Sequence, residues 1–265
     1  MIKDIYILWF QGFNNAPAVV KDCLFSWKHY NPDWNIIELD NSNLDKYVDV
    51  SEYRHINLTA LSDIVRVFIL NKFGGLWVDA TTFCNKPLDN WLQEYINAGF
   101  FTFIWADKSI YHKITSWFIY SEKNTYLIRE LETAVIKYFK DYNKPQQYFW
   151  LHRLFGIRYM SDEQFKMIYD KVPRINASPG PHTFANKALN RVLNLEDKIL
   201  LDSETIPLYK LTHKVHINTK RQKTIFNYII NSINRKTAIL VESEEQRLKE
   251  KLLLVETRKT NIFTK

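Results

Sequence analysis

The first feature of this sequence that could do chemistry is a pair of oppositely charged residues, an aspartate and an arginine, three positions apart in an apolar segment. Asp63 and Arg66 lie within residues 58–72, whose spacing predicts a helix that is apolar on all sides and therefore buried. A buried carboxylate must be paired or must bind a ligand. Two alternatives follow: a structural Asp63–Arg66 ion pair, or a site in which Asp63 accepts hydrogen bonds from ligand hydroxyls while Arg66 neutralises a phosphate.

A second acid follows a Gly-Gly turn. Gly74 and Gly75 end the predicted helix, and we expect Gly74 to take the left-handed conformation of a helix C-terminus. Residues 76–79 predict a short strand with Asp79 at its carboxyl end. Ligands of α/β sheets bind outside the carboxyl ends of the strands, so Asp79 is a second candidate.

The elements that must position these residues indicate an α/β fold. Residues 5–10 predict a buried strand, residues 16–30 an amphipathic helix and residues 34–39 a second strand. A strand, a helix and a strand within about forty residues favour a parallel sheet. Further along, the pattern predicts strands at 99–105 and 206–215, and helices at 126–139, 147–155, 163–169, 224–234 and 244–256.

Composition narrows the class of protein. The 265 residues suffice for one large domain, and aromatic residues reach 15%. Flat rings suit sugar faces and nucleobases, although an aromatic core alone would also explain the excess. Cys23 and Cys84 form neither a metal motif nor a disulfide framework, which fits a reducing compartment. No apolar run approaches the roughly 18 residues of a membrane span, so we expect a cytoplasmic protein.

The positive charge is concentrated at the end of the chain. Of the formal net charge of +7, residues 219–265 contribute +6, from 11 Lys and Arg against 5 Glu. We therefore predict a domain at 1–218 and a basic helical extension at 219–265. The extension could contact an anionic surface and hold the protein on the inner face of the cell membrane, or it could be a solvated face.

The order of several short motifs resembles a known family. Ser62–Arg66 (SDIVR), a spacer and Gly74–Thr81 (GGLWVDAT) are similar to the sugar-binding region of capsular polysaccharide synthesis proteins. These are relatives of the glycosyltransferase group that contains the Och1 mannosyltransferases and, more distantly, the large clostridial glucosylating toxins. The upstream LWFQG and SWK and the later LYKLTHK fit the same pattern, so the resemblance covers about residues 5–215.

The resemblance implies a GT-A-like, Rossmann-related fold: a mostly parallel central sheet flanked by helices, with the helical extension after it. It also implies a retaining glycosyltransferase. We expect transfer of a hexose or N-acetylhexosamine from a nucleotide sugar, UDP-linked by resemblance, to a capsular, O-antigen or other surface glycan, free or lipid-linked. A front-face route needs no protein nucleophile, and we nominate none.

The resemblance also assigns roles by position. Asp63, Arg66 and Asp79 match the catalytic residues, of which the first two hold the donor sugar. Trp9 matches an aromatic that packs on the base, and Trp77 one beside the nucleotide. Gln11, in LWFQG, and Lys214 complete the set that we expect to bind the nucleotide sugar.

The sequence departs from the family at the metal site. Asp79 matches the first acid of a DxD element, but Thr81 replaces the second. The family's cation, Mn²⁺ or Mg²⁺, stabilises the leaving diphosphate. We expect Asp79, Thr81 and His213 to be its ligands here, and His213 has the alternative of a hydrogen-bonded structural residue.

Three weaker candidates and two other functions remain open. His152 and His182 could line an acceptor site and Asp107 could touch the sugar, although structural or solvated positions are commoner for such residues. A degenerate sugar-nucleotide binder would explain Thr81. A basic nucleic-acid-binding module would explain the charged tail but not the buried acids, so we expect no nucleic-acid partner.

Overall fold

A mixed five-stranded sheet forms the centre of the protein. The computed structural model describes residues 1–105, 109–214, 223–237 and 244. In chain order its strands are β1 (Asp4–Leu8), β2 (Asn35–Leu39), β3 (Gly75–Asp79), β4 (Thr82–Cys84), β5 (Phe100–Thr102), β6 (Phe118–Ser121) and β7 (Leu208–Lys210). The main sheet has the order β2-β1-β3-β6-β5, and β4 pairs with β7 in a second, small sheet.

The main sheet is mostly parallel. β1 pairs in parallel with both β2 and β3, whereas β6 is antiparallel to both β3 and β5. Only β6 therefore runs against the other four strands of this sheet. All residues of β5 and β6 are buried, as are all of β3 except Asp79, which explains their continuous apolar runs.

Helices flank this sheet. They are α1 (Ala18–Tyr30), α2 (Leu58–Phe73), α3 (Tyr126–Asp141), α4 (Trp150–Ser161), α5 (Glu163–Tyr169), α6 (Leu195–Asp202) and α7 (Ile225–Ile230). None of the helices within the described residues has both the length and the apolar character needed to cross a membrane. The α/β class with a mostly parallel sheet flanked by helices is confirmed.

Helix α2 carries the first two candidate residues into the protein. The Asn57 side chain accepts a hydrogen bond from the backbone N–H of Ala60 and so caps the helix. Nine of its residues are buried, Asp63 and Arg66 among them. The helix ends at Gly74, whose φ of 73° and ψ of −171° differ from the left-handed helical cap that we expected. This extended, positive-φ conformation is nearly exclusive to glycine.

The small sheet was only partly predicted. Of residues 206–214, the part of the predicted strand that the structure describes, only Leu208–Lys210 form a strand, and the partner Thr82–Cys84 was not predicted. Their antiparallel register sets Lys210 opposite Thr82. Strand β6 and helix α6 were also missed. The small sheet matters because it brings a cationic residue next to the end of β3.

The described part of the C-terminal extension packs on the body of the protein. Thr224 caps α7, and Ile225, Phe226 and Ile229 belong to the hydrophobic core. Lys236 contacts Glu204 at 2.8 Å, so residues on both sides of position 218 are joined. The helix predicted at 244–256 lies outside the described residues apart from Glu244. The division into two units at position 218 stays a prediction.

Gly75 generates a prediction about stability. Its φ is +103°, and a Cβ there would lie 2.7 Å from the backbone oxygen of Asp4 on the neighbouring strand. Gly75→Ala should therefore lower the free energy of unfolding by about 2–4 kcal/mol, measured by urea denaturation. Gly12→Ala is the matched control, because Gly12 has a φ of +78° but a Cβ there would meet only Asp40, at 3.5 Å. Equal losses in the two variants would contradict the close packing of β1 on β3.

Candidate active site

The carboxyl ends of β1 and β3 open into a cleft of about 870 Å³. The register of the two strands sets Leu8 opposite Asp79, so the chain leaves both strands at the same edge of the sheet. This is the edge at which α/β proteins bind ligands. The residues predicted for the site all line the cleft: Trp9, Gln11, Asp63, Arg66, Trp77, Asp79, Thr81, His213 and Lys214.

Arg66 joins the two acids. Its Nη1 lies 3.1 Å from Oδ1 of Asp63, and its Nη2 lies 3.3 Å from Oδ1 of Asp79. The guanidinium also donates to the backbone oxygen of Ser116 at 2.5 Å and lies over the Trp77 ring, 5.1 Å from its centroid. Only 4% of the Arg66 side chain is exposed. The ion pair that the sequence allowed therefore exists, and it extends to the second acid on the wall of a cleft.

Asp79 is held by three donors. Besides Arg66, the indole Nε1 of Trp77 donates to its Oδ1 at 3.2 Å, and Nζ of Lys210 lies 3.3 Å from its Oδ2. Burial raises the pKa of Asp79, but the charges of Lys210 and Arg66 together with these hydrogen bonds outweigh it and lower the pKa to about 2. Asp79 is consequently a permanent anion at physiological pH.

Asp63 has the opposite electrostatic character. Burial is the main influence on this carboxyl and raises its pKa to about 6; the Arg66 charge lowers the pKa and the Asp79 charge raises it further. The two acids thus share one arginine but differ in how firmly they hold their charge. Their environments separate them in the way that assigns different tasks to paired carboxylates in active sites.

The three residues expected to bind a cation do not form a cation site in their observed positions, because each already contacts another side chain. Thr81 Oγ1 accepts a hydrogen bond from Nζ of Lys210 at 2.6 Å, and the same ammonium group lies against Asp79. His213 is exposed and its ring packs edge-on against Trp9, with centroids 5.1 Å apart. Within the described ranges, no three His, Cys, Asp or Glu side chains group as metal ligands would. The donor set is one carboxylate already shared by two cationic side chains, which does not suit Mn²⁺ or Mg²⁺.

The mouth of the cleft carries the other predicted nucleotide contacts. Trp9 is half-buried and directly follows β1, while Lys214 is exposed and follows His213 in the chain. Burial lowers the pKa of His213, and the neighbouring Lys214 and Lys210 lower it further, so its ring is neutral at pH 7. Trp77 differs from Trp9 because it is buried beneath Arg66. Its position serves to orient Arg66 and Asp79.

Both weaker histidine candidates also line the cleft. Burial lowers the pKa of His152 to about 3 and that of His182 to about 4, so both are neutral. The His182 ring lies between Trp105 and Trp117, with centroid distances of 4.8 and 5.3 Å. The side-chain nitrogens His182 Nε2, Trp105 Nε1 and Trp117 Nε1 are buried and have no hydrogen-bond partner among the described residues. Asp107 lies outside the described residues.

Lys210 is the main residue of the cleft that sequence reasoning missed. It belongs to LYKLTHK, where the sequence singled out His213 and Lys214 instead. The predicted strand at 206–215 was the available signal, but alternation along a strand gives Lys210 and Lys214 the same face and does not single out either. Its partner strand at 82–84 could not be deduced from spacing, and so neither could its approach to Asp79.

Known proteins resemble this chain in sequence and in structure. Over 122 residues it is 29% identical to the O-glycosyltransferase braB of Annulohypoxylon truncatum, which covers 37% of this chain and 29% of that protein. The chain therefore spans less than a third of the length of this relative. The solved structure of the PaToxG glycosyltransferase superposes with a TM-score of 0.43 at 13% identity, covering 87% of this chain and 86% of that one.

The family of the chain follows from a longer match. Residues 1–229 match the family model described as capsular polysaccharide synthesis protein. The match covers well over half of the 265 residues and includes every residue placed in the cleft. The order of motifs from LWFQG to LYKLTHK predicted this relationship. The chain belongs to the family of capsular polysaccharide synthesis proteins.

Proposed function

We propose that this protein is a glycosyltransferase that moves a hexose or N-acetylhexosamine from a UDP-sugar to a growing surface glycan. The observation that carries the proposal is the alternation of Asp63, Arg66, Asp79 and Lys210 on the wall of one cleft at the carboxyl edge of the sheet. A volume of about 870 Å³ is in the range of small-molecule sites. Family membership and the glycosyltransferase name of the matched relative support it.

The nucleotide half of the donor fits the mouth of the cleft. The Trp9 ring offers a flat apolar surface for a base, and its edge-on contact with His213 holds it in place. Arg66 and Lys210 are the cationic groups nearest Asp79, and Lys214 adds a third positive charge at the rim. These three positive charges exceed the two negative charges of Asp63 and Asp79, and the excess favours binding of a diphosphate.

The sugar half fits the wall formed by Trp105, Trp117 and His182. Of the three buried nitrogen atoms without partners there, the two indole Nε1 atoms can donate to sugar hydroxyls, and His182 Nε2 can donate or accept according to its tautomer. Asp63 is a strong acceptor on the same cleft. For the acceptor glycan, Tyr148 and Phe149 stand at the rim and are 70% and 42% exposed. Exposed aromatic rings at a cleft entrance suit the faces of acceptor sugars.

The reaction requires charge stabilisation more than proton transfer from the protein. The bond between the anomeric carbon and the phosphate oxygen breaks, and its electron pair passes to the diphosphate. The acceptor hydroxyl oxygen forms the new bond on the same face, and its proton passes to the departing phosphate oxygen. Arg66 and Lys210 stabilise the negative charge that develops, while Asp79 keeps both cations in position.

The acceptor class is a capsular, O-antigen or other surface glycan, free or lipid-linked. The basic residues at 219–265 would hold the enzyme near anionic lipids on the inner face of the membrane.

Removal of the Asp79 carboxylate should abolish transfer. Asp79→Ala and the isosteric Asp79→Asn should lower UDP release in the presence of acceptor by at least about 100-fold, because Arg66 and Lys210 lose the anion that orients them. Circular dichroism should show an intact fold. Asp89→Asn is the control, an exposed acid paired with Lys3 outside the cleft. Near-normal turnover in either Asp79 variant would refute its assignment.

Donor class can be tested by thermal shift. A ligand present at about 100 times its Kd adds about 2.7 kcal/mol to the free energy of unfolding, so UDP-sugars should raise the melting temperature. GDP- and CDP-sugars should raise the melting temperature less, if Trp9 and its surroundings select uracil. Binding without hydrolysis or transfer across a broad acceptor panel would favour the degenerate binder. A shift with none of the nucleotide sugars would refute the proposal.

We expect the Asp63 carboxylate to serve donor turnover while it lowers the free energy of unfolding at neutral pH. Its folded pKa of about 6 exceeds the ordinary 3.8, so folding favours the protonated form. The stability penalty is therefore absent below about pH 4, grows between pH 4 and 6, and is complete above that. Asp63→Asn should raise the free energy of unfolding at pH 7.5 by up to about 3 kcal/mol while donor turnover falls. The stability gain should vanish at pH 4; a loss of stability at pH 7.5 would contradict this account.

A further inference from the structure

Lys210 is fixed in place by the backbone on both sides. Its own N–H donates to the oxygen of Pro181 at 2.8 Å, and the next N–H, of Leu211, donates to the oxygen of Thr81 at 2.8 Å. The antiparallel pairing of β4 with β7 sets Lys210 opposite Thr82. The side chain therefore starts beside the segment that links Asp79 to β4, and its position does not depend on a mobile loop.

The ammonium group occupies the place that a cation would need. Nζ lies 3.3 Å from Oδ2 of Asp79 and 2.6 Å from Oγ1 of Thr81, the first and third positions of the DxD-like element. Its side chain is only 15% exposed, yet Lys210 lines the cleft. An ammonium group has three hydrogen-bond donors, and these two contacts leave one for a ligand.

The other oxygen of the acid is also taken. Oδ1 of Asp79 contacts Nη2 of Arg66 at 3.3 Å and accepts from Nε1 of Trp77 at 3.2 Å. A divalent cation here would displace one of these contacts and would stand beside two fixed positive charges. His213, the third expected ligand, packs against Trp9 instead.

We propose that Lys210, together with Arg66, neutralises the diphosphate of the donor in place of a divalent cation, so that this protein binds its donor without metal. The inference rests on the proposed function. When the anomeric carbon–oxygen bond breaks and its electron pair passes to the diphosphate, the third N–H of Lys210 donates to a phosphate oxygen. Lys210 is thus a catalytic residue that contacts the leaving group.

Thr81 fits this role of Lys210. A threonine hydroxyl accepts a hydrogen bond from the ammonium without cancelling its charge, whereas a second carboxylate would neutralise it and attract a metal instead. The threonine at position 81 and the inward lysine are therefore chemically complementary.

The first experiment compares UDP binding with and without metal. Isothermal titration of the full 265-residue chain with UDP is run in EDTA, in Mg²⁺ and in Mn²⁺, and Mn²⁺ alone is titrated by electron paramagnetic resonance. We expect Kd values for UDP that agree within about threefold in all three conditions, and no Mn²⁺ site tighter than about 1 mM. UDP binding that appears only with Mn²⁺ or Mg²⁺ would overturn the inference and leave the proposed function standing. Absence of UDP binding in every condition would overturn both.

The second experiment removes and replaces the charge. Lys210→Met should weaken UDP binding about 10- to 100-fold, as loss of a charge-assisted hydrogen bond does, and Mn²⁺ should not restore it. Lys210→Arg should retain part of the affinity. Lys236→Met is the matched control, because Lys236 is also half-buried and paired with an acid but does not line the cleft. Unchanged UDP affinity in a folded Lys210→Met protein would overturn the inference.

A double variant tests the link with Thr81. Lys210→Met combined with Thr81→Asp provides two carboxylates and removes the competing ammonium. Its UDP affinity should depend on Mn²⁺, and Mn²⁺ should also bind it without nucleotide. This readout separates a role in charge neutralisation from a merely structural one, because loss of structure cannot create a metal requirement. A double variant that binds UDP equally well in EDTA would contradict the exchange of roles.

Discussion

Two acids and two cationic side chains alternate along one wall of the cleft, and the rest of the site is arranged around this alternation. Arg66 lies between Asp63 and Asp79, and Lys210 holds the other oxygen of Asp79. Each of these groups would be expensive to bury alone, and each is tolerated because its neighbours carry the opposite charge. Buried ion networks add little net stability compared with apolar packing, so their concentration at the edge of a ligand-sized cleft favours a role in binding.

The alternation depends on elements that are far apart in the sequence. Helix α2 supplies the first acid and the arginine, β3 supplies the second acid, and β7 supplies the lysine. The segment from Asp79 to Thr82 passes from the main sheet to the small sheet, and pairing on both sides fixes its ends. The indole Nε1 of Trp27 on α1 donates to the oxygen of Thr82 at 2.7 Å and fastens this crossing to the helix layer. A network of charges 3 Å apart needs such a rigid frame, because longer separations would leave each charge uncompensated.

The local patterns of the sequence predicted the elements that carry periodic or continuous apolar residues, and they brought Asp63, Arg66 and Asp79 to one edge. The patterns did not reveal β4, β6 or α6. Residues 118–121 form a short apolar run without a turn motif beside it, which cannot be distinguished from a buried loop or helix segment. Lys210 was missed for a related reason: its approach to Asp79 is a matter of strand pairing across more than 120 residues, which one sequence does not encode in its spacing.

The threonine at position 81 illustrates how a departure from a family motif should be judged. On sequence alone, loss of the second acid suggests loss of metal and hence loss of activity. The structure sets an ammonium group against that same threonine, so the positive charge is supplied by the chain itself. A degenerate site would be expected to lose charge without replacement, since a partly buried lysine beside a partly buried acid adds little net stability by itself. The presence of four alternating charges around Thr81 is therefore an argument for a working site. Asp79 is the central anion of this arrangement, because the charges of Lys210 and Arg66 lower its pKa to about 2 against the effect of burial.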